Sequence, residues 1–492
     1  MSTSRTGILL GPPGTGKTTS LLKEVEDAIK SGTPLNRIAF FAFTRRAAQE
    51  AIVGACERFG CKQDDLPWFR TLHSAAFRIL GLKFNEVMQT HHFEELGKAL
   101  GSFTFKATYG ATMERAPPDG GLGDLAMNIY SRARASQSSV EVEWRRADDP
   151  RITLRDATRF ALALDEYKHS QHILDFTDFL DGVHEPIDLD LMIIDEAQDL
   201  TLQQWGFARR IGRTAKRVLI AGDDDQAIFE WAGADVRTFL SIKGDPRVLP
   251  ISYRLPRVVW ERANSISRRI RVRREKLFQP RDEEGEILNL DSPEQIRLLD
   301  PGSFLLLSRH RWQLEALANV CRDQGVVYFD GTEWSNQSAA VRAVVLYERL
   351  RKGNTLTLAQ MQRVVRFIPG TSELDTSIKE WTWGLVIWPF TGEPDWMSAM
   401  TGVGLEEREY IRKLRRTGES LVNPGRVTLS TIHGSKGGEA DTVMILPDMS
   451  KRVASTAMKR PDEEARVWYV AASRAKHRLG ICAPSSRRFY TV

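Results

Sequence analysis

At 492 residues the chain is longer than one hydrophobic core ordinarily serves, so several domains are expected, and 42% hydrophobic with 27% charged residues is the balance of a soluble globular protein. No apolar run approaches the ~20 residues that cross a bilayer, and the short polar start, Met1 to Thr6, leaves no room for a secretory signal, which together predict a cytoplasmic protein without a membrane partner. A net charge of +5 is too slight to name a nucleic-acid partner by itself, and four cysteines without a matching ligand set read as reduced thiols rather than a zinc site.

In chain order, the first predicted element is a buried strand over Gly7–Leu10. It runs into Gly11-Pro12-Pro13-Gly14-Thr15-Gly16-Lys17-Thr18, followed by Thr19 and a helix whose Leu21, Leu22, Val25 and Ile29 recur at helical spacing until Gly32 stops it. Strand, glycine-rich loop and helix in that order are the context of a phosphate-binding loop. Glycines let backbone N–H groups wrap phosphates, and the helix N-terminus adds its positive end. Lys17 is placed to reach the β- and γ-phosphates of ATP, and Thr18 to bind Mg²⁺ through its hydroxyl.

A second strand is predicted over Arg37–Phe43. Residues 85–171 are helix-like, interrupted by Pro117, Pro118, Gly120, Gly121 and Gly123. The strand Leu191–Ile194 then ends in Asp195-Glu196-Ala197-Gln198-Asp199. Asp195 is expected to hold Mg²⁺ and Glu196 to take a proton from the attacking water. Val218–Ala221 is the next strand, followed by Gly222-Asp223-Asp224-Asp225-Gln226, where Gln226 is a candidate sensor of the γ-phosphate. Arg268, Arg269, Arg271, Arg273, Arg274 and Lys276 form a basic run that reads equally as a solvated helix face or a phosphate-tracking surface.

Beyond residue 255 the predicted strands are Phe304–Leu307, Val326–Phe329, Val427–Thr431, Thr442–Leu446 and Leu479–Cys482. Residues 366–423 break the pattern with Trp381, Trp383, Trp388 and Trp396. Strands alternating with helices in two clusters predict an α/β fold of two parallel-sheet domains.

The motifs together resemble the UvrD/Rep/PcrA family of superfamily 1 helicases, in that family's order and over most of the chain. Phe43-Thr44-Arg45-Arg46-Ala47-Ala48, Thr71-Leu72-His73-Ser74, Asp175–Leu180, Asp195–Asp199, Gly222–Gly233, Ser252-Tyr253-Arg254, Thr431–Glu439 and Tyr469–Lys476 each look like one of its motifs. The resemblance implies two RecA-like P-loop NTPase domains, each carrying a mainly helical insertion. The boundaries expected are 1–86 with 172–254, insertion 87–171, then 255–365 with 424–492, and a reduced insertion 366–423.

The resemblance also implies roles. Arg254 and Arg474 match two arginines set against the γ-phosphate, which puts the nucleotide in a cleft between the two domains. Tyr253 matches the residue stacked on adenine and Glu439 the ribose contact. Phe229 and Trp231 match aromatics that stack on bases without reading sequence. Phe43, Thr44, Thr71, His73 and His433 match further strand contacts. The expected activity is an ATP-dependent DNA helicase or translocase that moves 3′→5′ on single-stranded or tailed duplex DNA, as a monomer.

Four departures qualify the resemblance. No glutamine-containing adenine-recognition segment precedes Gly11, which predicts loose discrimination among nucleotides. Trp231-Ala232-Gly233 lacks the arginine usual at its middle position. The second insertion is short, and the chain reaches Val492 soon after Arg474, without the hairpin that helps split a duplex. Poor unwinding by a competent translocase is therefore the nearest alternative. A nucleotide-switched binding module and an AAA-type oligomeric ATPase are the readings from other classes.

Overall fold

The computed structural model describes residues 6–106 and 120–492. Pro117 and Pro118, and the polar start before Thr6, lie outside the described residues. The chain divides into two units: Met1–Tyr253 with Ile270–Arg281, and Arg254–Arg269 with Asp282–Val492.

The sheet of the first unit has six strands: β1 (Thr6–Leu10), β2 (Ile38–Ala42), β3 (Phe69–Thr71), β4 (Leu191–Ile194), β5 (Arg217–Gly222) and β6 (Arg247–Val248). Their order is β3-β2-β4-β5-β1-β6, and every pairing is parallel. All residues of β2 and β4 are buried, as strands covered on both faces must be. Alternation sends Ile8, Leu10, Phe41 and Met192 into one core, and Leu9, Phe40, Ile193 and Leu219 into the core on the opposite face.

The helix Lys17–Lys30 buries Leu21, Leu22 and Val25, and Gly32 follows with a φ of 90°, as the helical spacing predicts. Four helices, Thr90–Leu100, Leu122–Ala135, Val140–Ala147 and Leu154–Gln171, pack a core of their own around Phe93, Met127, Phe160 and Leu164. Lys168 anchors them: its buried ammonium donates to Asp175 at 2.7 Å and Asp178 at 2.8 Å, at the start of the helix Phe176–Gly182.

The sheet of the second unit contains β7 (Glu286–Leu290), β8 (Phe304–Ser308), β9 (Tyr328–Phe329), β12 (Val427–Thr431), β13 (Ala440–Ile445) and β14 (Ala475–Cys482), in the order β7-β14-β13-β8-β12-β9 and parallel throughout. Between β9 and β12 lies a short antiparallel pair, β10 (Leu356–Thr357) and β11 (Glu380–Trp381). Trp381, Trp383, Trp388 and Trp396 share a core with Val341, Val344 and Tyr347 of the helix Ala339–Arg351, so this body draws on chain well upstream of residue 366.

The apolar runs named from the sequence all carry strands, though Val326 and Val327 are buried without pairing and only Tyr328–Phe329 forms β9. The strands β3, β6 and β7 carry no such run. Each lies at an edge of its sheet, where one neighbour and partial burial suffice.

The basic run overturns one of its two sequence readings, the solvated helix face. Arg268 ends the helix Arg257–Ser267, and residues 271–277 form no helix face. Ile270–Arg281 groups with the first unit instead of with the residues flanking it, because Arg273 and Lys276 turn onto the carboxylates that follow β5.

Candidate functional site

A parallel sheet aligns the carboxyl ends of its strands along one edge, where ligands of α/β folds bind. In the first unit those ends lead, in the order of the sheet, to Thr71 (β3), Phe43 (β2), Asp195 (β4), Gly222 (β5) and Gly11 (β1). The predicted site residues of this unit are therefore neighbours in space although they are spread over much of its sequence.

The loop after β1 is pinned at each step. Gly11 donates its N–H to Gly222 O at 3.0 Å, Pro12 O accepts from both N–H and Oγ1 of Thr15, and Pro13 O accepts from the buried Ser252 hydroxyl at 2.7 Å. Gly14 and Gly16 both have φ of 72°, a left-handed conformation that glycine adopts at little cost. Thr18 and Thr19 are exposed in the first turn of the helix that follows.

Lys17 reaches the ends of β4 and forms ion pairs with both Asp195 and Glu196. Burial works against its charge, but the two carboxylates outweigh it and raise its pKa well above the ordinary lysine value. Burial also pushes the Asp195 carboxyl up, helped by the Glu196 charge and opposed by Lys17. Glu196 has a φ of 53°, rare for a residue with a side chain, and donates its N–H to Asp195 Oδ1 at 2.8 Å. A lone carboxylate and a threonine hydroxyl are hard oxygen donors, a set that suits Mg²⁺ completed by water and phosphate oxygens.

Gln198 was quoted in the sequence motif without a role, and the structure gives it one. Its Nε2 donates to Glu196 Oε2 at 2.6 Å, while its Oε1 accepts from the Asp223 N–H at 3.0 Å. The Asp223 carboxylate in turn accepts from Gln226 Nε2 at 2.7 Å. Hydrogen bonds thus run from the acidic pair after β4 to the candidate sensor after β5. A methyl on Gly222 would lie 2.3 Å from Gln198 Oε1, so only glycine admits this bridge.

Beneath the sensor, Lys276 is fully buried among Asp223, Asp224 and Asp225, at 3.1, 2.7 and 3.0 Å. Burial lowers its pKa, and the three carboxylates more than reverse that. Arg273 forms a forked pair with Asp225, and Arg274 N donates to Asp224 at 2.9 Å. Composition marked this stretch as basic, but nothing in its spacing pointed to these partners.

Tyr253 N donates to Gly14 O at 2.8 Å, and its ring lies over Gly16, where a methyl would meet it at 3.7 Å. The ring is 71% exposed, so one face is open to stacking. It lines a cavity of about 360 Å³ with Thr15, Thr19, Lys23 and Arg58.

Four of the strand-contact candidates, Phe43, Thr44, Thr71 and His73, line a second cavity, of about 740 Å³. Phe43 stacks on Phe229 with centroids 5.4 Å apart, and Trp231 meets Phe229 edge-on at 6.3 Å. Thr44 and Thr71 each cap a helix, accepting from Ala47 N at 3.1 Å and Ser74 N at 3.3 Å. Burial lowers the His73 pKa to about 4, only partly offset by Asp175, so its imidazole is neutral at physiological pH.

In the second unit the remaining candidates fall on opposite edges of the sheet. Arg254 pairs with Glu439 at 2.6 Å, and Lys476 with the same carboxylate at 2.7 Å. Against burial, these two cations hold Glu439 below the usual carboxylate range. Arg474 is buried, donating to the carbonyls of Val470 at 3.0 Å and Gly438 at 3.3 Å. Glu439 and Arg474 directly precede the paired residues Ala440 and Ala475, at the amino edge of β13 and β14. His433, buried in the turn after β12, follows the carboxyl edge, and residues 432–439 cross back between the two.

Residues 2–247 match the family model described as UvrD/REP helicase N-terminal domain, and residues 409–486 the one described as UvrD-like helicase C-terminal domain. The chain is 24% identical over 308 residues to "ATP-dependent DNA helicase PcrA" of Bacillus subtilis (strain 168), covering 56% of this chain and 39% of that protein. It is also 24% identical over 262 residues to "Probable DNA helicase II homolog" of Rickettsia felis, covering 48% of this chain and 38% of the relative. These matches span about two-fifths of the relatives' own length. Among solved structures, an arterivirus nonstructural protein 10 (helicase) aligns over 99% of this chain and 61% of its own, at 11% identity and a TM-score of 0.37, a slight likeness.

Proposed function

Given that the chain belongs to the UvrD/REP helicase family, we propose that it hydrolyses ATP to move along single-stranded DNA with 3′→5′ polarity. The polarity rests on the family resemblance, and one observation carries the coupling of hydrolysis to the strand. Lys17, Glu196, Gln198, Asp223 and Gln226 form one hydrogen-bonded chain, and the segment after Gln226 reaches Phe229, which stacks on Phe43 at the second cavity. A change at the phosphate end thus has a short covalent and packed route to the aromatic rings.

In this proposal the loop Gly11–Thr18 wraps the ATP phosphates with its N–H groups, and Lys17 leaves its two carboxylates to bind the β- and γ-phosphates. Thr18 and Asp195 would hold Mg²⁺, which would supply charge neutralisation of the phosphates. Glu196, released from Lys17, accepts the proton of the attacking water while Gln226 orients that water. Arg254 and Arg474 stabilise charge on the transferring phosphoryl group, an effect that can reach ~10³–10⁵ in rate. Tyr253 stacks on the base and Glu439 contacts the ribose.

On the DNA side, Phe43, Phe229 and Trp231 stack on bases, worth ~1–3 kcal/mol per base. The Thr44 and Thr71 hydroxyls accept from their helices, which leaves each hydroxyl hydrogen to donate to a phosphate oxygen. His73, neutral through burial, and His433 complete the track.

The test is Glu196→Gln. DNA-stimulated ATP hydrolysis is expected to fall by at least about a hundredfold, with binding of a labelled single strand retained. Loss of strand binding with hydrolysis intact would refute the assignment. A 3′-tailed duplex assayed beside displacement of a bound protein then separates unwinding from translocation alone.

A further inference from the structure

Arg70 carries a charge that no acidic group among the described residues answers. It lies in the edge strand β3, opposite Phe41 of β2, and lines the same cavity as Phe43, Thr44, Thr71 and His73. Its Nε is buried without a hydrogen-bond acceptor. Its Nη1 reaches only Ser74, at 3.5 Å from the carbonyl and 3.4 Å from the hydroxyl.

Among the described residues no carboxylate pairs with it, and the one charge acting on it is a second guanidinium, Arg78. Burial first, and then that like charge, pull the Arg70 pKa below the ordinary arginine value. Arg78 is exposed, lies 5.8 Å over the Trp68 ring, and follows Ser74 by one helical turn on the same face. A partly buried guanidinium with a like-charged neighbour and no anion is unfavourable in the free protein, because desolvation is not offset by an opposite charge. An anion seated between the two reverses that balance, and a guanidinium fork matches phosphate oxygens in particular.

We propose that Arg70, together with Ser74 and Arg78, seats one backbone phosphate of the bound strand. The ligand is a phosphodiester, held at the rim of the cavity that takes the bases. The assignment rests on the strand-binding reading and adds to it two guanidinium contacts, Arg70 and Arg78, that lie outside the quoted motifs.

Binding of a labelled oligothymidylate, followed by fluorescence anisotropy over a range of NaCl concentrations, tests it. Each phosphate contact on a single strand contributes about 0.7 to the slope of log affinity against log salt. Arg70→Gln is expected to reduce the slope by about that amount and to weaken binding about tenfold at low salt. Arg70→Lys keeps most of the slope, because the charge remains. Arg78→Gln, at an exposed position that folding tolerates, lowers the slope in the same way. Arg257→Gln, remote in sequence and paired with Glu284, leaves it unchanged.

An unaltered slope in folded Arg70→Gln and Arg78→Gln overturns the proposal, as does weaker binding at constant slope, which marks a structural role. Inorganic phosphate at constant ionic strength is expected to compete no better than chloride. Strong competition lost in Arg70→Gln would make this a free-anion site and overturn the phosphodiester assignment. Wild-type protein that binds no strand at all would instead sink the strand-binding reading itself.

Discussion

At the scale of single residues, the site depends on side chains held in unusual states. Glu196 keeps a left-handed backbone that costs roughly 1–2 kcal/mol, and in that state its carboxylate reaches both Lys17 and Gln198. Gly222 exists to admit Gln198. His73 is held neutral by burial, with a pKa near 4 against about 6.5 in an unfolded chain. Its folded pKa is depressed, so the unfolded state binds the proton more readily. Its contribution to stability is thus complete above pH 6.5 and is lost progressively as the pH falls towards about 4. Chemical denaturation of wild type and His73→Asn across that window checks this. The variant is expected to lose less stability on acidification, and parallel curves would show that His73 does not titrate as described.

At the scale of elements, the segment 270–281 is the least expected feature. It leaves the helix Arg257–Ser267 of the second unit, supplies Arg273, Arg274 and Lys276 to the acidic turn after β5, and then returns to the second unit. The turn that carries Gln226 is therefore held by buried ion pairs as well as by the buried side chains of Ala227 and Ile228. Removing one partner of a buried ion cluster typically costs ~3–5 kcal/mol, because the remaining charges stay buried. Lys276→Met is expected to destabilise the protein by about that amount in urea denaturation. If the variant folds in the cold, its DNA-stimulated hydrolysis should fall through disorder at Gln226 while nucleotide binding persists. A change below about 1 kcal/mol would mean that the cluster is compensated elsewhere.

At the scale of the whole molecule, each unit has hydrophobic clusters of its own, around Phe41, Phe40 and Phe160 in the first, and around Leu306 and Tyr347 in the second. Separate cores unfold as separable transitions. The loop Gly11–Thr18, Asp195 and Tyr253 all belong to the first unit. A slowly hydrolysed ATP analogue at about a hundred times its dissociation constant stabilises whatever binds it by ~2.7 kcal/mol. Scanning calorimetry should accordingly show the first unit's transition moved upward by the analogue, and no movement in Lys17→Ala. Equal movement of both transitions would show that the second unit's residues contribute as much of the binding energy as the loop.

The sequence by itself determined the elements and the chemistry. Apolar runs mark β1, β2, β4, β5 and β8, glycine spacing marks the candidate phosphate loop, and the carboxylates at the end of β4 mark the candidate catalytic pair. These signals are local, set by backbone conformation and hydrophobic periodicity within a few residues. Tertiary structure decided which of them meet. The strand order β2-β4-β5 brings Phe43 to Phe229 and Gln198 to Asp223, and the grouping of Ile270–Arg281 with the first unit brings Lys276 to three aspartates. Edge strands such as β3 escaped notice because an edge needs no apolar run, and Arg70 escaped with it. Whether a charge has a partner depends on what packs around it from distant parts of the chain, and no spacing along the sequence encodes that.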